Sequence, residues 1–297
     1  MAPPVHTPIG AHAPTAGGIA AKALPYADAV GAECLQVFIS NPRGWVLSKP
    51  NPSQEEAFAT GCAERGIVTY AHASLLTNLG SPTTQTVERS AATLRHALLR
   101  GAAIGAAGVV FHAGSAVDPD HYPTALRQVR RELLPLLQEA SQLGQPKLLV
   151  EPSAGGGRSL AATVPELGPY LEAVDGHPWL GVCLDTCHAY AAGHDLAAEG
   201  GMTATLDALV ATVGVDRLAL LHVNDSKDGL GSARDRHENV GKGQIGEAGF
   251  AELLAHPATD GVPIIVETPS SPDGAGHAAD IDLLKRLRAS SPLARQT

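Results

Sequence analysis

The sequence predicts an α/β protein that folds as a single TIM-type (β/α)8 barrel. Eight short β-rich runs recur along the chain, and segments with helical spacing separate them. No repeat, low-complexity tract or linker divides the 297 residues, and a barrel of this kind uses about 250 residues as one domain. An open, doubly wound parallel sheet is the alternative, because strands and helices also alternate in that architecture.

The predicted strands are runs of five or six residues that are mostly apolar or β-branched. In chain order they cover residues 8–12, 35–39, 67–72, 108–112, 147–151, 180–185, 218–222 and 263–267. The continuous apolar stretch 148–150 is typical of a parallel strand that helices cover on both faces of the sheet.

Helices are predicted between these strands. Ser53–Glu56 and Thr163–Glu166 have the Ser/Thr-x-x-Glu pattern of a capping box at a helix start. Residues 87–99, 122–143 and 281–287 place apolar side chains at helical spacing. The predicted barrel domain covers residues 9–290, with a short extension at 1–8 and a tail at 291–297.

Composition limits the classes of protein to consider. Hydrophobic residues make up 44% and charged residues only 17%, as in a well-packed globular protein. The net charge, 21 − 30 = −9, argues against a broad sequence-independent nucleic-acid binder, although bound metal ions would make a locally positive site. No secretory signal or membrane-spanning run is visible, and the four cysteines are mostly scattered, so we expect a cytoplasmic protein with reduced thiols and no membrane contact.

Polar residues collect at the ends of the predicted strands. In a parallel barrel all strand carboxyl ends lie on one face, where the loops build the active site. Three carboxylates on one rim would be costly to desolvate unless positive charge held them, and carboxylate with imidazole suits zinc, manganese or iron. A single strand-end histidine is usually only a hydrogen-bonded residue, so the inference rests on the set. Seven of the eight runs end in histidine, aspartate or glutamate: His12, His72, His112, Glu151, Asp185, His222 and Glu267.

The stretch Cys183-Leu-Asp-Thr-Cys-His188 holds three kinds of metal ligand. Its spacing is one residue too long for covalent haem attachment, and no second cysteine pair completes a thiolate zinc site. Alternation along the strand places Cys183 in the barrel interior, one layer below a liganding Asp185. Cys187 lies in the following turn, and its neighbour His188 can bend back over the rim.

A later pair, Asp235 and His237, adds two candidate ligands on one side of an extended segment. An ordinary surface loop with Arg236 in an ion pair is the alternative. The remaining histidines lack such placement, and we expect them to be structural or solvent-exposed: His121, His177, His194, His256 and His277.

These blocks closely resemble the endonuclease IV family of apurinic/apyrimidinic endonucleases. The resemblance runs from Ile9 to about Leu287. It rests on Phe111-His-Ala-Gly-Ser115, the block around Cys183-Leu-Asp-Thr-Cys-His188, His222-Val-Asn-Asp-Ser-Lys227 and Asp235-Arg-His237. Such blocks are far more specific than any single histidine or glutamate.

The resemblance implies a trinuclear zinc site, with manganese as an alternative occupant of part of it. Glu151 would bridge two of the ions beside a metal-bound hydroxide that serves as the nucleophile. The implied ligand sets are His72, His112 and Glu151 for one ion; Glu151, Asp185, His222 and Glu267 for the second; and His188, Asp235 and His237 for the third.

The resemblance also implies the reaction and the partner. The family hydrolyses double-stranded DNA on the 5′ side of abasic sites, leaving a 3′-hydroxyl and a 5′-deoxyribose phosphate, and usually also removes 3′-blocking groups. We expect the protein to act as a monomer. A divalent-metal sugar isomerase or epimerase on the same barrel is the alternative enzyme, and a catalytically silent DNA-lesion binder is the alternative from another class.

The DNA contacts implied by the resemblance lie on two loops. In Asn41-Pro-Arg-Gly-Trp45, Arg43 is the candidate wedge in the base stack, and Trp45 either supports this loop or packs against a helix. The glycine-rich segment 241–246 either presents backbone N–H groups to phosphates, with Lys242 beside them, or is a plain flexible turn.

Two positions depart from the family pattern. Leu75 stands where family members often carry a tyrosine that helps to fill the base stack, so any wedge at this position would be aliphatic. Pro152 follows Glu151 where polar residues are common in the family, and different contacts behind the ligands are expected there.

Overall fold

A closed barrel of eight parallel strands forms the centre of the computed structural model, which describes residues 7–293. Strand β10 pairs with β1 and thereby closes the sheet, so the prediction of a barrel is confirmed and the open-sheet alternative is wrong. The barrel strands are β1 (Ile9–His12), β2 (Cys34–Phe38), β3 (Val68–His72), β4 (Gly108–His112), β5 (Lys147–Glu151), β6 (Leu180–Asp185), β7 (Leu218–His222) and β10 (Ile264–Val266).

The limits of all eight strands agree with the sequence prediction to within one residue. The agreement has a physical cause: strands buried on both faces appear as short apolar runs, and in seven of the eight runs a polar residue at the rim marks the end. Within the described residues, a two-stranded antiparallel hairpin, β8 (Asp225–Ser226) with β9 (His237–Glu238), stands beside the barrel.

Helices follow the strands in the predicted alternation. They are α1 (Ile19–Val30), α2 (Pro52–Glu64), α3 (Thr84–Ala103), α4 (Tyr122–Gln142), α5 (Leu167–Ala173), α6 (Thr186–Ala192), α7 (Gly201–Val213), α8 (Gly246–Ala255) and α9 (Ala275–Ser290). None of the helices described in residues 7–293 is long and apolar enough to cross a membrane.

One predicted helix start is correct and the other is displaced. The Thr163–Glu166 capping box is present, with the Glu166 carboxylate accepting from the Thr163 N–H at 2.8 Å. Helix α2 is instead capped by Asn51, whose side chain accepts from the N–H of Gln54. The prediction of a box at Ser53 was wrong, because Pro52 suits the first helical position and places the cap one residue before it.

The core has two parts. Helices pack around the barrel on one large apolar cluster, and a smaller cluster fills the barrel interior. The interior is tight where β1 meets β2, since a Cβ added at Gly10 would lie only 1.7 Å from the Cys34 carbonyl oxygen. The interior residues are Cys34, Tyr70, Val110, Leu149, Cys183, Leu220 and Ile265.

The predicted domain limits stay a prediction. Most of the N-terminal extension and of the C-terminal tail lies outside the described residues 7–293. Within them, helix α9 ends at Ser290 and its carboxyl end reaches back to the base of the barrel, where Arg288 donates to the carbonyl of Thr7 at 2.6 Å.

Candidate metal centre

All nine predicted ligands lie at the carboxyl-terminal rim of the barrel. Five are the last residues of consecutive strands, because the strands are parallel and therefore end at the same face. The other four come from a strand end, a helix start and the β8–β9 hairpin. The strand-end set is His72, His112, Glu151, Asp185 and His222; Glu267 directly follows β10, His188 lies in α6, and Asp235 and His237 belong to the hairpin.

The carboxylate of Glu151, 1% exposed, is at the centre of this set. Its Oε2 lies 3.3 Å from Nε2 of His72 and 3.4 Å from Nε2 of His112. Its Oε1 lies 3.1 Å from Nδ1 of His222 and 3.2 Å from Nδ1 of His188. The two oxygens therefore face different groups of histidines, as a carboxylate bridging two cations would.

A second group surrounds His222. Its Nδ1 lies 3.3 Å from the carboxylate of Glu267 and 3.9 Å from that of Asp185. Together with Glu151 these residues place four ligand atoms within 4.8 Å of one another. Imidazole and carboxylate atoms gathered this closely form a candidate site for one cation.

Asp235 lies between His188 and His237, the two histidines of the third implied ligand set. One of its oxygens lies 3.2 Å from Nε2 of His188, and the other lies 3.0 Å from Nε2 of His237. Asp185 links this group to the second, since its Oδ2 also lies 3.6 Å from Nε2 of His237 and its Oδ1 accepts from the His188 N–H at 2.9 Å. The Asp185 side chain thus caps helix α6 and positions His188.

Three histidines are oriented by backbone carbonyls behind them. A carbonyl only accepts, so Nδ1 carries a proton and Nε2 is the atom that each ring can offer to a cation. The buried Nε2 atoms of His188 and His237 face the centre, where carboxylate oxygens of Asp235 lie 3.2 and 3.0 Å away without a well-directed hydrogen bond. The pairs are His72 with Ala73 at 2.8 Å, His188 with Pro152 at 3.0 Å and His237 with Glu267 at 3.2 Å.

The residue after Glu151, where the sequence departs from the family pattern, contributes through its backbone. The carbonyl of Pro152 accepts from His188, and any residue type could supply that carbonyl. Proline therefore keeps this contact behind a ligand.

Charge in the centre is balanced between carboxylates and imidazoles. Burial opposes ionisation of Glu151, but His222 and its other histidine neighbours outweigh that effect and hold the pKa of this carboxyl well below its usual range. Burial likewise opposes protonation of His188 and His222, yet nearby negative charge raises the pKa of both well above the ordinary value, and the pKa of His237 rises to about 9. Cations bound here would replace these protons.

Two fully buried polar residues behind the ligands were missed by sequence reasoning. Asn224 donates to Asp185 at 2.8 Å and accepts from the backbone N–H of Glu267 at 2.7 Å, so it spaces these two carboxylates. Gln36 contacts His222 and Glu267. The available signal for Gln36 was a lone amide inside the apolar run Leu35-Gln-Val-Phe38.

A cavity of about 540 Å³ opens onto the centre. Arg43 and Leu75, two of the predicted DNA contacts, line it together with several ligands. They lie on adjacent loops that are joined by a hydrogen bond from the Leu75 N–H to the Pro42 carbonyl at 2.9 Å. Leu75 is 39% exposed, so an aliphatic side chain stands at the mouth of the metal cavity.

The other two predicted DNA contacts lie elsewhere. The Trp45 ring packs beside helix α3, with the guanidinium carbon of Arg89 6.0 Å from its centre, which favours the packing alternative for this residue. Lys242 is exposed and is not among the residues lining the metal cavity. Contact of either residue with DNA stays a prediction.

The glycine-rich segment 241–246 is held in place by hydrogen bonds, and the backbone N–H groups of residues 242–246 all donate to other groups of the protein. The N–H groups of Gly243, Ile245 and Gly246 donate to the buried carboxylate of Asp225 at 2.9–3.2 Å. Those of Lys242 and residue 244 donate to backbone carbonyls. The expectation that these N–H groups serve phosphates was therefore wrong for residues 242–246, because the protein already uses them.

Cys183 occupies the predicted position, whereas Cys187, which was expected in a turn, lies in helix α6 because the helix begins directly after Asp185. Cys183 lies in the barrel interior, and burial raises the pKa of its thiol to about 12. Cys187 is buried in α6, its thiol lies 3.6 Å from the Arg236 carbonyl oxygen, and burial raises its pKa to about 12. Its sulfur is also within 4.8 Å of ligand atoms of Asp235 and His237, so only its exclusion from the ligand set stays a prediction.

The five histidines that were expected to be structural or solvent-exposed each have a hydrogen-bond partner within the protein. His277 additionally lines the metal cavity, where it bonds the Tyr26 hydroxyl at 2.7 Å. These contacts agree with a structural role for the five. Their partners are Gln128 for His121, the Trp179 N–H for His177, the Val164 N–H for His194, the Ala258 N–H for His256 and the Thr268 carbonyl for His277.

A (β/α)8 barrel with clustered imidazoles and carboxylates on its carboxyl-terminal rim defines the class: a barrel enzyme with a site able to bind metal ions.

Comparison with known proteins then identifies the family. Residues 24–287 match the family described as "Xylose isomerase-like TIM barrel". Over 281 residues the chain is 54% identical to "Probable endonuclease 4" of Streptomyces coelicolor, covering 95% of each protein. The chain belongs to the endonuclease IV family, and it is an endonuclease.

Two solved structures superpose on this chain over nearly its whole length. Endonuclease IV from Thermus thermophilus superposes with a TM-score of 0.83 at 35% identity, covering 96% of this chain and 100% of that one. A 3-keto-D-glucoside 4-epimerase from E. coli has a TM-score of 0.68 at 15% identity, covering 94% and 99%. The second likeness shows a shared barrel alone, so it does not support the sugar-epimerase alternative.

Proposed function

We propose that the protein is a DNA-repair endonuclease that hydrolyses the phosphodiester on the 5′ side of abasic sites and removes 3′-blocking groups. The products would be a 3′-hydroxyl and a 5′-deoxyribose phosphate. The observation that carries the proposal is the convergence of nine histidine and carboxylate side chains around Glu151 on one barrel rim. Four unpaired cysteines suit a reducing compartment such as the cytoplasm.

The nine residues would hold three zinc ions in the sets that the family resemblance implies. The Nε2 atoms of His188 and His237 beside the Asp235 carboxylate and the histidines that contact both oxygens of Glu151 support this assignment. When bound, such ions lower the pKa of a coordinated water toward neutrality and stabilise charge that develops on a phosphodiester. Four carboxylates would neutralise only part of the charge of three divalent ions, so the site would attract a phosphate within an acidic chain.

The chain's own residues would then position the substrate. Glu151 is held between two groups of histidines, and the carbonyls behind three histidines keep their Nε2 lone pairs toward the centre. Arg43 and Leu75 at the cavity mouth could fill the space left in the base stack when an abasic nucleotide turns outward. The name of the Streptomyces relative supports nuclease chemistry without specifying the lesion.

One assay tests the proposal. Zinc-loaded protein is incubated with a duplex that contains a single tetrahydrofuran abasic analogue, and bound metal is counted in parallel. Incision 5′ to the analogue with about three zinc ions per chain would support the proposal, and an undamaged duplex of the same sequence should stay intact. Binding without incision would indicate a silent lesion reader, and one metal with sugar turnover would indicate an isomerase.

A matched pair of histidine variants controls this assay. His112→Ala removes an imidazole 3.4 Å from Glu151 and should abolish incision, whereas His121→Ala removes one that bonds only Gln128 at the protein surface and should not. A nicked duplex with a 3′-phosphoglycolate end tests the second activity. Failure to clear that end would remove 3′-unblocking from the proposal.

A further inference from the structure

Gln36 is a polar residue where the barrel would otherwise be apolar. It lies in the middle of β2 between Leu35 and Val37, and none of its surface is exposed. Burying an amide without hydrogen-bond partners destabilises a protein. Both the nitrogen and the oxygen of the Gln36 amide are hydrogen-bonded, so the partners of this amide indicate the role of the residue.

The amide of Gln36 contacts two of the proposed ligands. Its nitrogen donates to Oε1 of Glu267 at 2.6 Å and lies 3.0 Å from Nδ1 of His12. Its oxygen lies 2.9 Å from Nε2 of His222. A carboxylate only accepts, so the nitrogen must face Glu267, and the oxygen must then receive a proton from His222.

We propose that Gln36 is a positioning residue of the metal centre: it holds His222 in the Nε2–H form and orients the carboxylate of Glu267. With one proton held on Nε2, the Nδ1 of His222 is available for a cation that the nearby carboxylates of Glu151 and Glu267, 3.1 and 3.3 Å from that nitrogen, would also bind. The inference rests on the proposed function for the identity of the ligands. It adds a role for a residue outside the ligand set.

The way His222 is oriented sets it apart from other histidines of the centre. His72, His188 and His237 are oriented by backbone carbonyls, which no substitution removes. His222 relies on a side chain and is therefore sensitive to a single mutation. His12 completes the arrangement, since its Nδ1 also lies 2.9 Å from Glu267.

The test replaces Gln36 with a residue of similar length that cannot bond. Gln36→Met should weaken the binding of one class of zinc ion by roughly 10–100-fold, as is usual when the partner behind a ligand is lost. Gln128→Met is the matched control, because Gln128 also bonds a histidine, His121 at 2.9 Å, but far from the centre. Zinc affinity is measured without DNA, by competition with a chromophoric chelator.

A spectroscopic readout separates positioning from simple loss of packing. In zinc-loaded wild-type protein, ¹⁵N chemical shifts should show His222 protonated at Nε2 and metal-bound at Nδ1, with the Nε2–H proton protected from exchange. In Gln36→Met that protection should disappear, whereas the signals of His72 should not change. Metal binding through Nε2 in the wild type would overturn the inference, even if the variant failed to fold.

The outcomes also distinguish this inference from the proposed function. Unchanged zinc affinity and an unchanged His222 signal in Gln36→Met would overturn the positioning role while leaving incision of abasic DNA possible. Weaker zinc binding with the altered His222 signal would support the role, even for a protein that proved unable to cut the abasic duplex.

Discussion

The carboxylate of Asp225 holds the glycine-rich segment against the β8–β9 hairpin, and its removal is the perturbation that we develop first. Four backbone N–H groups donate to its two oxygens. The side chain is fully buried and faces no cation among its described hydrogen-bond partners, so this role is purely structural. The donors are Ser226 at 2.8 Å, Ile245 at 2.9 Å, Gly243 at 3.0 Å and Gly246 at 3.2 Å.

The size of the effect follows from which donors water can reach after Asp225→Ala. Ser226 and Ile245 are buried and would lose their partner outright, whereas Gly243 and Gly246 are partly exposed and can bind water. A buried donor left unsatisfied costs about 1–3 kcal/mol, so two of them destabilise the fold by roughly 4 kcal/mol. For a domain of this size that corresponds to a melting temperature lower by roughly 8 °C or more.

The assay is thermal unfolding of metal-free protein, which removes any contribution from bound ions. Asp28→Ala is the control, because Asp28 pairs with Arg65 on the surface and should change the melting temperature little. Asp225→Asn should fall between the two, since one amide oxygen keeps two of the four bonds. A melting temperature for Asp225→Ala within about 2 °C of wild type would refute the assignment of these N–H groups to Asp225.

Three further predictions concern the metal centre. His112→Ala should lower zinc affinity by more than the roughly 10–100-fold that follows loss of a residue behind a ligand. Cys187→Ser should keep both metal and activity. Loss of zinc from the cysteine variant would place a thiolate in the site. The Asp185 and Asp235 carboxylates raise the pKa of His188 above its ordinary value and that of His237 to about 9. Zinc binding at neutral pH should therefore release protons from these imidazoles, and fewer as pH rises past about 9, where His237 is already neutral. Calorimetry in buffers of different ionisation enthalpy measures the release, and heats independent of buffer would contradict it.

The barrel was predictable because its strands are buried on both faces. Each strand appears in the sequence as a short apolar run, seven of the eight runs end in a polar residue, and both features are present in the structure, for example in Gly108–His112. Helix starts were less secure: the cap of α2 lies at Asn51, since several nearby residues can cap a helix and packing chooses among them.

The ligand positions were predictable for a related reason. Parallel strands bring their carboxyl ends to one rim, so a list of strand-end residues such as His72, Glu151 and Asp185 is already a list of neighbours. His188 was expected to bend back over the rim from a turn, and the structure instead places it in a helix that the Asp185 side chain caps. No comparable rule places Trp45 or Lys242, whose surroundings depend on how loops pack.

The sequence by itself determined the fold class, the rim that carries the site and the residue types that meet there, because these follow from hydrophobic period and strand polarity. Only the tertiary structure decided what those polar atoms bond. The N–H groups of segment 241–246 turn inward to Asp225, and Gln36 joins His222 to Glu267 across the barrel. Such partners are distant in the chain, and a hydrogen bond depends on the relative position of two atoms that only the closed barrel brings together.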